Sequence, residues 1–168
     1  MQTRPYDSGT RQGYLLNLGL RGRKLMKRRE LLERWITAYA EKLRNRNLIG
    51  RFTTNRENPW EDVDVTNYRA FWGGEVAAHK LTHFLKPDTI TIYARKPIEN
   101  LLVDLRLRKD GAGKIELREQ FWNFPALGPI KDVAPLVLVH ANLLATADAH
   151  NVETAKMIYD DYLKRHFE

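Results

Sequence analysis

The clearest helical periodicity in the chain lies over residues 28–48, where Leu31, Leu32, Trp35, Ile36, Tyr39 and Leu43 recur at three- and four-residue steps. Arg29, Arg34, Glu41, Lys42, Arg44 and Arg46 occupy much of the rest, so the pattern predicts a long amphipathic helix with one packed and one wet face. Glu30 and Glu33 stand near its start, where the helix dipole favours negative charge, and Gly50 is expected to end it. A second unit, over residues 71–94, reads as helix then strand. Val76, Ala77, Leu81, Phe84 and Leu85 share one side at helical spacing, Pro87 and Asp88 punctuate, and residues 89–94 alternate with the two-residue period of a strand. A one-sided helix and a half-buried strand cover each other, which makes this unit the expected nucleus of a mixed domain.

The remaining segments are shorter. Pro5 and Gly9 break residues 1–9, after which Asp7, Ser8 or Thr10 can cap a short helix over about 11–18 with Tyr14, Leu15 and Leu18 on one face. Gly19 and Gly22 close it. Residues 51–70 predict loop with a short strand. Ile98, Leu101, Leu102 and Leu105 have helical spacing, Val103, Leu105 and Leu107 alternate as in a strand, and a helix is favoured to about Arg106 with Pro97 in its first turn. A turn at 109–111 and a strand at 114–118 follow, then an aromatic loop of Phe121, Trp122 and Phe124. A helical pair ends the chain. Its first helix starts at Pro135 and is apolar nearly all round, hence buried, and its second has Asn151 as the expected cap and Val152, Ala155, Ile158, Tyr159, Tyr162 and Leu163 as one face. These elements predict the α+β class, a small sheet packed with helices.

The length of 168 residues suits one ordinary domain with an appended fragment. There are no cysteines, which removes disulfides, thiolate catalysis and cysteine-based metal sites. No apolar run approaches the roughly 18 residues of a membrane span and the N-terminus lacks a signal-like apolar core, so the expectation is a soluble, cytoplasmic protein without a membrane partner. The net charge of +7 is unevenly placed. Residues 1–51 hold 13 Lys/Arg against 4 Asp/Glu, while 52–168 hold 15 against 17. Such asymmetry suggests an anionic partner at the basic end, with nucleic acid foremost; a solvated basic helix face gives the same pattern.

Three constellations could carry chemistry. Glu75, His79 and His83 are four residues apart and could converge on a metal ion, but they lie opposite Ala77, Leu81 and Leu85, and a solvated face is the favoured explanation. Asp104 with Glu116 and Arg118 has the residue types of a metal-dependent nuclease, although arginine replaces the lysine such a site uses. Gly73-Gly74 could expose backbone N–H groups to an anion, or let Trp72 pack tightly against a helix start; the second is favoured. A protein-interaction module built on Trp72, Trp122 and Phe124 is a further alternative. No cofactor is expected.

Four segments together resemble a known family: RGRKLMKRRELLERWITAYAEKLR (21–44), FWGGEVAAHKLTHFLKPDTITIYARKPI (71–98), GKIELREQFW (113–122) and VAPLVLVHANLLATADAHNVETAKMIYDDYL (133–163). The most specific are the WGGE of 72–75 and the LLAT and NVETAKMIY near the C-terminus. They are similar to a branch of the AbiEi-type antitoxins of type IV toxin-antitoxin, or abortive-infection, systems. The resemblance implies a winged helix-turn-helix that binds double-stranded DNA at the operon's own promoter, followed by an antitoxin domain. It also implies a nucleotidyltransferase-like toxin, countered without a tight complex and without catalysis by this chain. Carried onto this sequence, Thr10, Arg11 and Tyr14 fall on the recognition helix and Arg21, Arg23 and Lys24 on the wing. The expected organisation is a partial winged-helix remnant over 1–27, whose first helices the chain does not encode, and an α+β antitoxin-type domain over 28–168 that includes the connecting helix. Two positions depart from the family pattern, Asn142 and Ala147, where an acidic residue and a glycine are usual.

Overall fold

The computed structural model describes residues 13–168. Its first elements are the strands β1 (Leu15–Asn17) and β2 (Arg23–Leu25), an antiparallel hairpin in which Leu15 faces Leu25 and Asn17 faces Arg23. The sequence pattern predicts a short helix over 11–18, and over 15–17 the chain is a strand instead. Gly19 and Gly22 have φ values of +63° and +88°, a backbone that side chains avoid, and Leu18 N donates to Gly22 O at 2.8 Å. That reversal pairs Leu15–Asn17 with the basic run behind it, and strand pairing overrides a four-residue apolar pattern that fits either period.

Lys27, in the left-handed region, separates the hairpin from α1 (Arg28–Ala38), which continues through a π turn (Tyr39–Leu43) into α2 (Arg44–Arg46). The expected long helix is therefore present, with Leu32 and Tyr39 buried and Trp35, Ile36 and Leu43 packed against the core. It ends before Gly50. Residues Leu48–Thr53 form β3, so Gly50 sits inside a strand rather than after a helix. Then come α3 (Pro59–Asp62), a 3-10 turn (Val65–Tyr68), β4 (Phe71–Gly73), α4 (Gly74–Thr82), β5 (Ile90–Ala94), α5 (Glu99–Asp104), β6 (Arg108–Lys109), β7 (Ile115–Glu119), α6 (Leu136–Leu144) and α7 (Ala149–Ile158). The chain closes with a second π turn (Tyr159–Leu163) and α8 (Lys164–Phe167). The start of α7 is capped by Asp148, whose carboxylate accepts from Asn151 N at 3.0 Å; Asn151, expected as the cap, instead lies inside the helix.

The mixed α+β architecture centres on a five-stranded sheet in the order β4-β5-β7-β3-β6, with only β5 and β7 parallel. Alternation along the strands divides its faces. Ile90, Ile92 and Ala94 of β5 and Ile115 and Leu117 of β7 point into one apolar cluster with Val65, Leu101 and Leu105. Thr91, Tyr93, Glu116 and Arg118 hold the alternate positions, on the face that Tyr93 shares with α4, α6 and α7 through Ala77, Leu81, Val139 and Ala155. Tyr39 of the π turn and Tyr93 of β5 meet there with their hydroxyls 3.0 Å apart, and burial raises both pKa values, so the pair stays neutral.

Two features of α6 and the turn after it yield measurable consequences. Ala147, at φ +56°, holds the left-handed conformation that glycine adopts without strain. Ala147→Gly is expected to raise the unfolding free energy by up to about 1 kcal/mol, read from the urea midpoint. His140 bonds Ala155 O through Nδ1 at 2.8 Å; a carbonyl can only accept, so Nδ1 carries the proton. Burial lowers its pKa below the ordinary value of about 6.5. The unfolded chain therefore takes up a proton that the folded chain refuses, and stability falls as pH drops through the unfolded value until it passes the lower folded one. His140→Gln, which can keep the bond to Ala155, should lose less stability than the parent between neutral and mildly acidic pH in urea titrations.

Candidate functional site

Two regions carry polar groups that packing does not explain. The first is the hairpin, where Arg21, Arg23 and Lys24 are all exposed on or beside β2 and Leu20 stands fully exposed at the tip. It is docked, rather than loose, through Tyr14. The Tyr14 hydroxyl donates to Glu30 Oε1 at 2.9 Å and accepts from Arg34 Nη1 at 2.9 Å, and the Arg34 guanidinium lies over the ring at 5.4 Å from its centre. Met26 N also donates to Tyr14 O at 2.7 Å. The contacts with Glu30 and Arg34 fix the basic hairpin to the first turns of α1, and the Met26 bond closes the open end of the hairpin itself.

The second region is a polar cavity of about 610 Å³ between α4, α6, the start of α7 and the polar face of the sheet. Its floor is an ion network. Glu116, almost wholly buried, receives Arg51 Nη2 on Oε1 at 2.6 Å and Arg118 Nε and Nη2 on Oε2 at 3.1 and 2.7 Å. Arg118 then turns Nη1 to Asn47 Oδ1 at 2.8 Å and to the Arg44 carbonyl, so a buried cation satisfies the C-terminal end of α2. A register shift between Leu48 and Gly50 sets Arg51 directly opposite Glu116 across β3 and β7. On the opposite wall Glu75 acts as a clamp. Its Oε2 accepts from the backbone N–H groups of Asp88 and Thr89 at 2.7 and 2.9 Å, and its Oε1 from Asn151 Nδ2 at 3.0 Å.

Of the residues expected to touch DNA, Thr10 and Arg11 lie outside the described residues. Tyr14 is buried with its hydroxyl engaged, while Arg21, Arg23 and Lys24 stand together on the hairpin. Glu75, His79 and His83 do not converge as a set: Glu75 clamps the loop before β5, His79 Nδ1 bonds Leu85 O at 2.8 Å, and His83, which ends α4 at φ +53°, lies edge-on to the His79 ring with centres 5.5 Å apart. Among the described residues no group of three or more His, Asp or Glu is placed to hold a metal ion. The nuclease pair is likewise separated. Asp104 ends α5 at the surface, where Tyr68 donates to it at 2.6 Å, whereas Glu116 is locked between two arginines inside the cavity. Trp72 and Trp122 are core residues, and Phe124 alone of the proposed interaction trio is exposed. The lining contributed by Arg44, Thr91 and Asn142 has no local signal in the sequence; the only clue is the alternation that puts Thr91 and Glu116 on one sheet face.

The family model described as "Transcriptional regulator, AbiEi antitoxin, Type IV TA system" matches residues 24–164. The searches of curated proteins and of solved structures returned no match. No helix among the described residues is long and apolar enough to cross a membrane.

The network around Glu116 predicts an asymmetric mutational response. Glu116→Ala leaves Arg118 buried without its counter-ion and is expected to cost about 3–5 kcal/mol of stability. Glu116→Gln keeps the shape and one carbonyl oxygen to accept from one arginine, while turning an NH2 toward the other, and should cost less than the alanine variant, the two being compared by urea unfolding at neutral pH.

Proposed function

We propose that this chain, which belongs to the AbiEi antitoxin family of type IV toxin-antitoxin systems, is a transcriptional regulator that reaches DNA through its basic N-terminal hairpin. The family supplies the regulator role in a toxin-antitoxin system. The observation that supports the finer reading is the docked hairpin, which presents Arg21, Arg23 and Lys24 at the end of α1. Arginine and lysine at such a place take phosphate oxygens, which position a protein on the duplex, while sequence is read by groups that reach base edges. Thr10 and Arg11, on the segment before the hairpin, are the proposed readers. Tyr14 acts by holding the hairpin to α1 rather than by touching a base.

In this proposal residues 1–27 form the DNA-associated part of a winged helix-turn-helix, and 28–168 form the antitoxin domain. The operon's own promoter is the proposed DNA, and the partner is a nucleotidyltransferase-like toxin that this chain counters without catalysis. The alternative of a nuclease using Asp104 and Glu116 loses support from the geometry, because the two carboxylates bond separate partners and Glu116 has both oxygens occupied.

Fluorescence anisotropy against the upstream duplex and a scrambled one, over a series of salt concentrations, tests the reading. Arg21→Glu and Lys24→Glu should each weaken binding to both duplexes, and should lower the slope of log K against log salt by about one for each phosphate no longer neutralised. Tyr14→Phe should weaken binding less, by loosening the hairpin. Affinity and salt slope unchanged in both charge reversals would rule the hairpin out as the DNA-contacting surface.

A further inference from the structure

The cavity contains donors that the fold leaves unused. Asn142 is 3 % exposed, and its Oδ1 takes the Arg44 Nε donor at 3.4 Å, which turns Nδ2 to the cavity with no acceptor among the described residues. Thr91, equally buried, lines the same space, and its hydroxyl has no hydrogen-bond partner among the described residues. Neither of these two atoms is sealed from solvent, so each offers its unused hydrogen-bonding capacity to the cavity rather than to the core. Both converge on Gly74. A Cβ at that position would lie 2.7 Å from Thr91 Oγ1 and 3.4 Å from Asn142 Nδ2, and its φ of +49° disfavours any side chain. The bare glycine keeps that corner open.

The charges around the corner select the ligand. Gly74 begins α4, whose nine residues start without a capping side chain, so the positive end of the helix opens on the cavity. Arg44 makes one side-chain bond, to Asn142, and Arg51 makes one, through Nη2 to Glu116, which leaves most of each guanidinium fork free to donate. Four carboxylates line the cavity and each has a partner: Glu116 two arginines, Glu75 three N–H donors, Asp88 the Lys114 ammonium and Asp148 the backbone N–H of Asn151. What remains unused is a set of donors, which is the complement of an oxyanion. The volume of about 610 Å³ exceeds what bare phosphate fills and lies within the range of small-molecule sites.

We propose that this cavity binds a nucleotide-sized phosphorylated ligand, whose phosphate is received by the start of α4 at Gly74, Thr91 Oγ1, Asn142 Nδ2 and the guanidinium groups of Arg44 and Arg51. Isothermal titration calorimetry of the full chain with ATP, GMP, inorganic phosphate and adenosine, at near-physiological salt, tests it. ATP or GMP should bind, adenosine should not, and inorganic phosphate should bind at least about tenfold more weakly than the nucleotides. Asn142→Asp, isosteric and of the wrong charge, and Thr91→Val, isosteric and without the donor, should each weaken nucleotide binding by about tenfold or more. Urea midpoints taken alongside separate loss of binding from loss of folding, and Arg44→Gln, at a half-buried position, carries the test should Asn142→Asp not fold. Absence of nucleotide binding, binding unchanged in the folded variants, or phosphate bound as tightly as nucleotide would overturn the proposal.

Discussion

The carboxylate of Glu116 is the point on which the polar half of this fold depends. It sits in the middle of β7, almost out of reach of water, and is held by Arg118 from its own strand and Arg51 from the neighbouring one. A buried pair of this kind seldom adds much net stability over an apolar replacement, because desolvation offsets the attraction, yet removal of one partner is costly. Its contribution is therefore geometric. Arg118, anchored by Glu116, reaches Asn47 and the Arg44 carbonyl, and so ties the end of the long helix to the centre of the sheet. Arg51, aimed by the register shift in β3, brings a second cation to the cavity rim. The pair of tyrosines at 3.0 Å, one from the π turn and one from β5, makes a second polar stitch along the same seam.

The WGGE stretch joins this seam to the cavity, and each of its residues has a separate physical task. Trp72 is fully buried, its backbone N–H donating to Asp132 O and its carbonyl accepting from Ala134 N, which draws the segment before α6 onto the sheet. At Gly73 a Cβ would fall 2.5 Å from the Tyr93 ring, so the strand can approach that buried tyrosine only without a side chain. Gly74 turns the chain from strand to helix at positive φ, and Glu75 fastens the loop before β5 and the start of α7. The sequence favours tight packing of Trp72 as the reason for the two glycines. The tight approach is real, but it belongs to Tyr93, and the second glycine leaves an open corner in a polar wall.

What is legible in the sequence follows from where the information lies. The helix at 28–46, the helix and strand of 71–94, the strand near 114–118 and the C-terminal pair are all readable because each has its own periodicity. The strands at 15–17, 48–53, 71–73 and 108–109 have no such signal. They are short, and β3 follows so closely on α2 that its apolar residues read as the end of the helix; only pairing with distant β7 makes them a strand. The cavity is illegible for the same reason. Arg44, Arg51, Gly74, Thr91, Glu116 and Asn142 come from six separate elements, and no spacing along the chain relates them. Glu116 and Arg118 stand out in the sequence as a pair on one strand face, but their chemistry is mutual neutralisation rather than metal binding.

The long helix gives the two polar regions a common frame. Its first turns hold the hairpin through Glu30 and Arg34, and its last turn delivers Arg44 to the cavity. An α-helix advances about 1.5 Å per residue, so the stretch from Glu30 to Arg44 separates the two attachments by roughly 20 Å along one continuous rod. The rod is pinned near its far end by Tyr39 and by Arg118, and its near end is crossed by the Arg29 ion pair with Glu168 at 3.6 Å. The hairpin therefore has a defined placement on the α+β body although its own strands bury almost nothing. No residue of its two strands is buried; the fixed presentation of the hairpin comes from Tyr14 and from the helix that Glu116 holds through Arg118.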